Sequence, residues 1–86
     1  MKIRFHKSFE KQYKKLRKSE QAQAEERLSL FFRDEFNPVL NNHPLSGKYK
    51  GYRSINITGD IRAFYKYQSP STCIFVIIDT HSNLYK

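Results

Sequence analysis

The sequence predicts an α+β fold in the order β-α-α-β-β-β, with a two-helix hairpin packed on a small, mainly antiparallel sheet. Three observations lead to this prediction. Residues 2–6 alternate polar and apolar side chains, with Ile3 and Phe5 on the core side, and the period-two pattern returns from Tyr52. Between these segments, apolar residues recur with helical spacing. Residues 73–78 are apolar without interruption, which indicates a central strand covered on both faces.

The first predicted helix is basic and amphipathic. Ser8 is its expected N-cap, since serine hydroxyls accept hydrogen bonds from the free N–H groups of a first turn. Phe9, Tyr13 and Leu16 fall at i, i+4 and i+7 and form its apolar stripe. Positive side chains surround that stripe, at Lys7, Lys11, Lys14, Lys15, Arg17 and Lys18.

The second predicted helix begins at Ser19 as N-cap and ends at Asn37-Pro38, because proline lacks a backbone donor and restricts the residue before it. Its expected buried side consists of Ala24, Leu28, Phe31, Phe32 and Phe36. Two helices in succession predict a hairpin.

The second half of the chain is predicted to be a loop followed by strands. Residues 41–48 are polar and rich in turn formers, so they form a candidate site loop. In the β-hairpin that follows, Ile55 and Ile57 are on one face, Ser54, Asn56 and Thr58 are on the other, and Thr58-Gly59 makes the turn. A second turn then leads into the central strand of residues 73–78.

Length and charge limit the kinds of function. The 86 residues predict one small domain, 1–86, too short for a deep enclosed pocket, so function is expected on an open face. With 16 Lys and Arg against 8 Asp and Glu, the chain carries +8 at neutral pH. That field attracts polyanions such as nucleic acid, an acidic protein or an anionic membrane.

Cys73 is the only cysteine and lies in the apolar strand, which predicts an inert buried thiol in a reducing compartment, and hence a cytoplasmic protein. Neither a signal peptide nor a membrane-spanning stretch is predicted, so no membrane role is expected. The scattered histidines lack the paired ligands of a zinc site, and the glycines match no phosphate-binding fingerprint. We therefore expect neither a metal nor a cofactor.

One face of the sheet is predicted to be polar. Alternation puts Asp60 and Arg62 on one face of their strand, which Ser54 and Asn56 are expected to share. If the helices cover the opposite face, the residues left around this one are His43, Lys48, Lys50, Asp60, Arg62, His81 and Tyr85. Such a set fits RNA cleavage, which needs a base for the 2′-OH, cations for the phosphorane and an acid for the leaving 5′-oxygen. Histidine side chains serve either proton role near neutral pH.

Each of these residues also has a purely structural interpretation. His43 could stabilise its turn, Asp60 and Arg62 could form an exposed pair, and Tyr85 could be a packing aromatic at the C-terminus. The lysines could simply be solvated. Because all of them are positively charged and lie near one loop, they favour a surface that binds along a nucleic-acid phosphate backbone.

Four segments resemble the YafQ branch of the RelE/ParE toxin superfamily: His43–Gly47, Tyr49–Ser54, Gly59–Tyr65 and Asp79–Tyr85. The resemblance covers nearly the whole chain. It implies a type II toxin that cleaves mRNA in the ribosomal A site and is held inactive by a cognate antitoxin. The implied partners are the ribosome, mRNA and that antitoxin, and any DNA contact would be made only through the antitoxin.

Position by position, the resemblance also implies site residues. His43 matches the loop histidine of YafQ-like toxins, Asp60 their acidic residue, His81 their C-terminal catalytic histidine and Tyr85 the aromatic residue that follows. Arg62 resembles the strand arginine of RelE. The implied roles are His81 as general acid, His43 or Asp60 as base or base-orienting group, Arg62 on the phosphorane, and Tyr85 stacking on the substrate. Predicted RNA-binding residues are Lys48, Lys50, Arg53 and Asn56.

Two positions depart from the YafQ pattern, and both bear on the chemistry. Asn56 stands where some YafQ-like toxins have another histidine, and Ile61 where a tryptophan is common. The first departure leaves the base open between His43 and Asp60. Two alternatives also remain, a ParE-like toxin that acts on DNA gyrase and a non-catalytic basic module that binds RNA or protein. His81 and Arg62 argue against the first, and the second explains the charge without any catalytic residue.

Overall fold

The computed structural model describes all residues from Met1 to Lys86. Its helices and strands in chain order are β1 (Lys2–Phe5), α1 (Lys7–Lys14), α2 (Lys18–Arg33), β2 (His43–Pro44), β3 (Arg53–Asn56), β4 (Ile61–Ser69), β5 (Thr72–Thr80) and α3 (His81–Leu84). Short 3-10 turns occupy Pro38–Leu40 and Gly47–Tyr49.

The five strands form one sheet in the order β1-β5-β4-β3-β2. β1 runs parallel to β5, while every other neighbouring pair is antiparallel. This confirms the predicted α+β class, the mainly antiparallel sheet and the central position of the apolar strand. Two short elements, β2 and α3, are additions to the predicted order.

Both helices pack on one face of the sheet and enclose an aromatic core. The ring of Phe31 on α2 lies 4.8 Å from that of Tyr65 and 5.1 Å from that of Phe75, centroid to centroid. Ile55 and Ile57 are buried in the same core, as their alternation predicts. Buried aromatic rings dominate the energy of so small a core because each removes a large apolar area from water. The opposite face of the sheet carries no long helix.

The helix caps differ from those predicted. The N-cap of α1 is His6, whose Nδ1 accepts the Ser8 N–H at 3.0 Å, while the Ser8 hydroxyl donates to the Val76 carbonyl at 2.6 Å. The N-cap of α2 is Arg17, and its N–H donates to the Glu20 carboxylate at 2.9 Å. Ser8 and Ser19 are therefore wrong as caps, because each helix begins one residue earlier and each serine lies inside the first turn.

The end of α2 also comes earlier than predicted. The helix stops at Arg33, and Asn37-Pro38 begins a separate 3-10 turn in which the Asn37 side chain accepts the Val39 N–H at 3.0 Å. Proline is compatible with the first position of such a turn, since its missing N–H is not needed there.

The predicted burial of Phe32 and Phe36 is wrong. Both rings are 59% exposed, whereas Phe31 is fully buried. Phe32 lies about 100° around the helix from Phe31, so only one of the two can face the core. Phe36 lies beyond the end of α2, where its ring contacts the Arg53 guanidinium at 5.4 Å.

Cys73 is fully buried in β5, and this burial raises the pKa of its thiol to about 11. The thiolate is the reactive form of cysteine, so we expect the native protein to resist a thiol-specific reagent at pH 8 and the denatured protein to react at once. Labelling measured by mass spectrometry with and without denaturant tests this. Rapid native labelling would mean that β5 opens far more readily than a central strand should.

Candidate active site on the open face

The face of the sheet opposite the helices, here the open face, is defined by strand pairing. Directly opposed residues of antiparallel strands point to the same side. One row across the sheet is His43, Ser54, Phe64 and Ile77, and the next is Asn56, Arg62 and Asp79. Ser54, Asn56 and Arg62 thus share a face, as the alternation predicts.

Asp60 and His81 meet at one end of this face. The backbone N–H of His81 donates to the Asp60 carbonyl at 2.7 Å, one step beyond the pairing of Ile61 with Thr80. The hairpin turn and the start of α3, distant in sequence, are thereby held together. Arg62 belongs to the same end because it follows the turn directly.

The short helix α3 sets the position of the His81 ring. Thr80 caps the helix by accepting the Asn83 N–H at 3.3 Å, and the Asp79 carboxylate accepts from the Asn83 side chain at 3.1 Å. Residues four apart lie on the same side of a helix, and the His81 and Tyr85 rings are 4.6 Å apart. The exposed His81 ring makes no hydrogen bond within the chain, so both of its nitrogens are available to a substrate.

Arg62 holds the hairpin turn as well as facing the site. Its guanidinium donates to three backbone carbonyls, those of Thr58 at 3.0 Å, Ile61 at 3.2 Å and Gly59 at 3.3 Å. The Asp60 carboxylate makes no ion pair, so the exposed pair between Asp60 and Arg62 does not form. The turn carbonyls fix the guanidinium and leave its Nε and one Nη2 proton free.

His43 lies apart from the other predicted catalytic residues. Its Nδ1 is 2.8 Å from the Asn41 carbonyl, which can only accept, so Nδ1 is the donor and the neutral ring would have its lone pair on Nε2. That tautomer suits a base. However, β2 is three strands from β5, roughly 14 Å at the usual spacing, so the sheet does not bring His43 to His81.

The predicted RNA-binding residues are divided between the two faces. Lys48 and Lys50 are exposed on the loop after β2, and Asn56 lies opposite Arg62 with its side-chain oxygen buried and unpaired. Arg53 instead pairs with Tyr65 on the helix side and donates from Nε to the Asn42 side chain at 2.9 Å. Its position is structural in this conformation.

A polar cluster under the loop explains the position of Arg53. The Tyr65 hydroxyl donates to the Glu35 carboxylate at 2.9 Å, the Asn42 amide donates to the Tyr65 oxygen at 2.8 Å, and Tyr67 also donates to Glu35. Burial, first of all, raises the pKa of Tyr65 far above its ordinary value. These bonds attach the start of the loop that carries His43 to the helix layer.

Except for Tyr85, the side chains of a second group on the open face were not predicted as site residues. Four rings form a row across the open face, here the aromatic row: Tyr85, Phe64, Tyr49 and Tyr52. Lys66 lies beside it, with its ammonium 5.3 Å from the Tyr52 ring centroid. The interleaving of tyrosines with lysines in residues 48–52 was the signal that could have revealed them.

A cleft lies away from His81. It measures about 410 Å³ and is lined by the N-terminal half of α2, Asn56 and the turn at Thr58-Gly59. No three His, Cys, Asp or Glu side chains converge closely enough to hold a metal ion. None of the helices has the length and hydropathy needed to cross a membrane.

This architecture is that of the RelE and YafQ class of toxins. YafQ from E. coli strain BL21(DE3) aligns with a TM-score of 0.81 at 23% identity, over 98% of this chain and 97% of that chain. The YoeB/ParE toxin from Agrobacterium tumefaciens aligns with a TM-score of 0.76 at 20% identity, over 94% of this chain and 99% of that chain. YafQ in the E. coli DinJ-YafQ toxin-antitoxin complex aligns with a TM-score of 0.75 at 24% identity, over 98% of this chain and 96% of that chain.

A family model described as the bacterial toxin of a type II toxin-antitoxin system, YafQ, matches residues 1–86. The chain therefore belongs to the YafQ family of toxins. No curated protein sequence matches it.

Proposed function

We propose that this toxin is a ribosome-dependent endoribonuclease that cleaves mRNA in the A site by metal-independent attack of the 2′-oxygen. The observation that carries the proposal is the meeting of Asp60, Arg62 and His81 at one end of the open face, where the His81 N–H reaches the Asp60 carbonyl at 2.7 Å. Membership of the YafQ family supports it. The action would take place in the cytoplasm, where ribosomes are.

The roles follow from position. A base removes the 2′-OH proton, the 2′-oxygen attacks phosphorus, and the bond to the 5′-oxygen breaks as His81 protonates that oxygen. The products are a 2′,3′-cyclic phosphate and a free 5′-OH. Asp60 is the better placed base or base-orienting group, because its backbone carbonyl is hydrogen-bonded to His81 and its carboxylate makes no ion pair, whereas His43 lies three strands away. Arg62 stabilises the phosphorane with its free N–H groups.

Tyr85 and the lysines position the substrate. The Tyr85 ring is 48% exposed beside His81, so one side of it can receive a base. Lys48 and Lys50 are exposed on the loop next to the aromatic row, where phosphates of the bound strand would pass. Asn56 borders Arg62 and would contact the nucleotide at the scissile phosphate.

Translation in a reconstituted system, followed by mapping of mRNA 5′ ends, tests the function. We expect new 5′ ends within ribosome-bound codons and none on the same mRNA without ribosomes. Growth inhibition without any such cleavage would instead favour the ParE-like alternative, whose target is DNA gyrase.

We further propose a cognate antitoxin as the inhibitory partner. An apolar groove of about 370 Å³ lies beside the helices; Phe5, Phe9, Tyr13 and Leu28 form its apolar lining, and Glu10, Lys14 and Glu25 its charged lining. Lys11 and Lys14 border the adjoining surface, so an acidic segment that folds on binding would find both apolar and charged contacts there. Lys48 and Lys50 offer a second basic surface for the same segment. Any contact with DNA would come through the antitoxin.

Antitoxin association should slow as salt rises, because screening weakens steering between exposed charges. Stopped-flow association rates from low to high ionic strength measure this. Two double variants show which lysines attract the antitoxin: Lys11→Gln with Lys14→Gln, and Lys48→Gln with Lys50→Gln. The pair whose replacement lowers the association rate more is the one that guides the antitoxin. A rate indifferent to salt in the wild type would mean that apolar docking, not this chain's charge, guides the antitoxin.

A further inference from the structure

The aromatic row continues well beyond the proposed reaction site. Tyr85 packs on Phe64 with ring centroids 6.2 Å apart, Phe64 packs on Tyr49 at 4.9 Å, and Tyr49 packs on Tyr52 at 6.4 Å. Each contact is edge to face. Phe64 is fully buried, so it supports the tyrosines on either side rather than contacting a ligand itself.

A lysine lies over each of Tyr49 and Tyr52. The ammonium of Lys48 is 5.2 Å from the ring centroid of Tyr49, and that of Lys66 is 5.3 Å from the ring centroid of Tyr52. A contact between a cation and an exposed aromatic ring favours the bound arrangement by only about 2-fold to 5-fold. A nucleobase stacked on an aromatic side chain contributes about 5-fold to 150-fold. A base can therefore displace the lysine, which then remains close enough to bind the adjacent phosphate.

Position along the sheet links this surface to the reaction site. Arg62, Phe64 and Lys66 alternate along β4 on the open face, so Lys66 lies about 13 Å from Arg62 at the usual rise per residue. Arg4 reaches the same face, since its guanidinium donates to the Gln68 side chain at 3.4 Å. A strand whose scissile phosphate lies at Arg62 could pass over Tyr52 and continue toward further positive charge.

We propose that Tyr49 and Tyr52, with Lys48 and Lys66, form a stacking surface for single-stranded RNA next to the cleavage site. The inference rests on the proposed function, because it takes RNA as the substrate. Single-stranded RNA is favoured over a protein partner because rings paired with cations provide what a base and its phosphate need together. The surface binds flanking nucleotides and takes no part in the chemical step.

Binding of labelled oligonucleotides to the full chain tests the proposal. The probe is a short 2′-O-methyl oligouridylate, in which attack by the 2′-oxygen is blocked, and the control is an abasic strand of the same length and charge. Fluorescence anisotropy should show that wild-type protein prefers the strand with bases. Tyr52→Leu should weaken binding of that strand about 10-fold and abolish the preference, while Tyr52→Phe should stay within about 2-fold of wild type.

Lys66→Gln supplies a second measurement that does not depend on removing a ring. The variant should bind both strands more weakly, and by the same factor. The slope of log affinity against log salt concentration should become smaller by about one unit, the contribution of one phosphate contact. Equal binding of both strands by the wild type, or no binding at all, would overturn the stacking surface. A Tyr52→Leu variant that loses affinity for the antitoxin but not for RNA would overturn it as well.

The outcomes for the surface and for the function are separable. Cleavage on ribosomes together with a Tyr52→Leu protein that binds both strands like wild type would refute the stacking surface and leave the function standing. A clear Tyr52-dependent preference for bases, without any ribosomal cleavage, would support the surface and refute the function.

Discussion

Replacing His81 with alanine is expected to lower the rate of mRNA cleavage on ribosomes by about 10²-fold to 10⁴-fold, the contribution of a positioned general acid. The fold should survive, because the His81 ring is exposed and makes no hydrogen bond. Its backbone N–H, which reaches the Asp60 carbonyl, is kept by the substitution. Single-turnover cleavage of mRNA bound to ribosomes measures the effect, and growth inhibition should disappear with it.

Ser82→Ala is the matched control for His81→Ala. Ser82 is the next residue of α3 and is also exposed, and the only hydrogen bond of its hydroxyl is to Thr80, at 3.4 Å. We expect this variant to cleave like wild type. Near-wild-type cleavage by a folded His81→Ala protein would remove the general acid from the proposed mechanism.

Replacing Arg62 with alanine is expected to lower cleavage by about 10²-fold to 10³-fold, because a cation directed at charge that develops in the transition state acts on the chemical step. Ribosome binding should weaken much less. Arg62→Lys should restore only part of the rate, since lysine lacks the planar fork of arginine. Cleavage rates and ribosome affinities measured on the same protein preparations separate the two effects.

The turn contacts of Arg62 require a control of their own. Thr58→Val removes the hydroxyl that accepts the N–H groups of Asp60 at 3.2 Å and Ile61 at 3.0 Å, so it loosens the turn while keeping the cation. We expect it to cost far less activity than Arg62→Ala. If Thr58→Val and Arg62→Ala lose the same amount of cleavage activity, Arg62 only supports the turn. If Arg62→Ala loses ribosome binding and cleavage to the same degree, Arg62 is a docking residue.

The strands could be predicted because their patterns are long and regular. Ile55 and Ile57 alternate with polar residues up to a Thr58-Gly59 turn, and the apolar run in β5 has no other place than the centre of a sheet. The two-residue strand β2 and the four-residue helix α3 could not be predicted in this way. Elements so short contain no full period, and pairing with β3 and the Thr80 cap specify them instead.

The candidate site, like the fold, was predictable only where a regular sequence pattern determines it. Alternation alone put Asn56 and Arg62 on one face. The contact between Asp60 and His81 depends on the long-range register of β4 with β5, which no local pattern contains. The same holds for the hydrogen bonds of Arg62 to the turn, and for the packing of Tyr49 on Phe64.

The most direct measurement is cleavage of ribosome-bound mRNA that carries a single 2′-deoxynucleotide on the 5′ side of the scissile phosphate. Removing that hydroxyl removes the proposed nucleophile while leaving codon, ribosome and toxin unchanged. We expect cleavage at this position to stop, whereas the all-ribose mRNA yields fragments with a free 5′-OH. Undiminished cleavage at the deoxynucleotide would contradict attack by the 2′-oxygen and, with it, the roles assigned to Asp60 and His81.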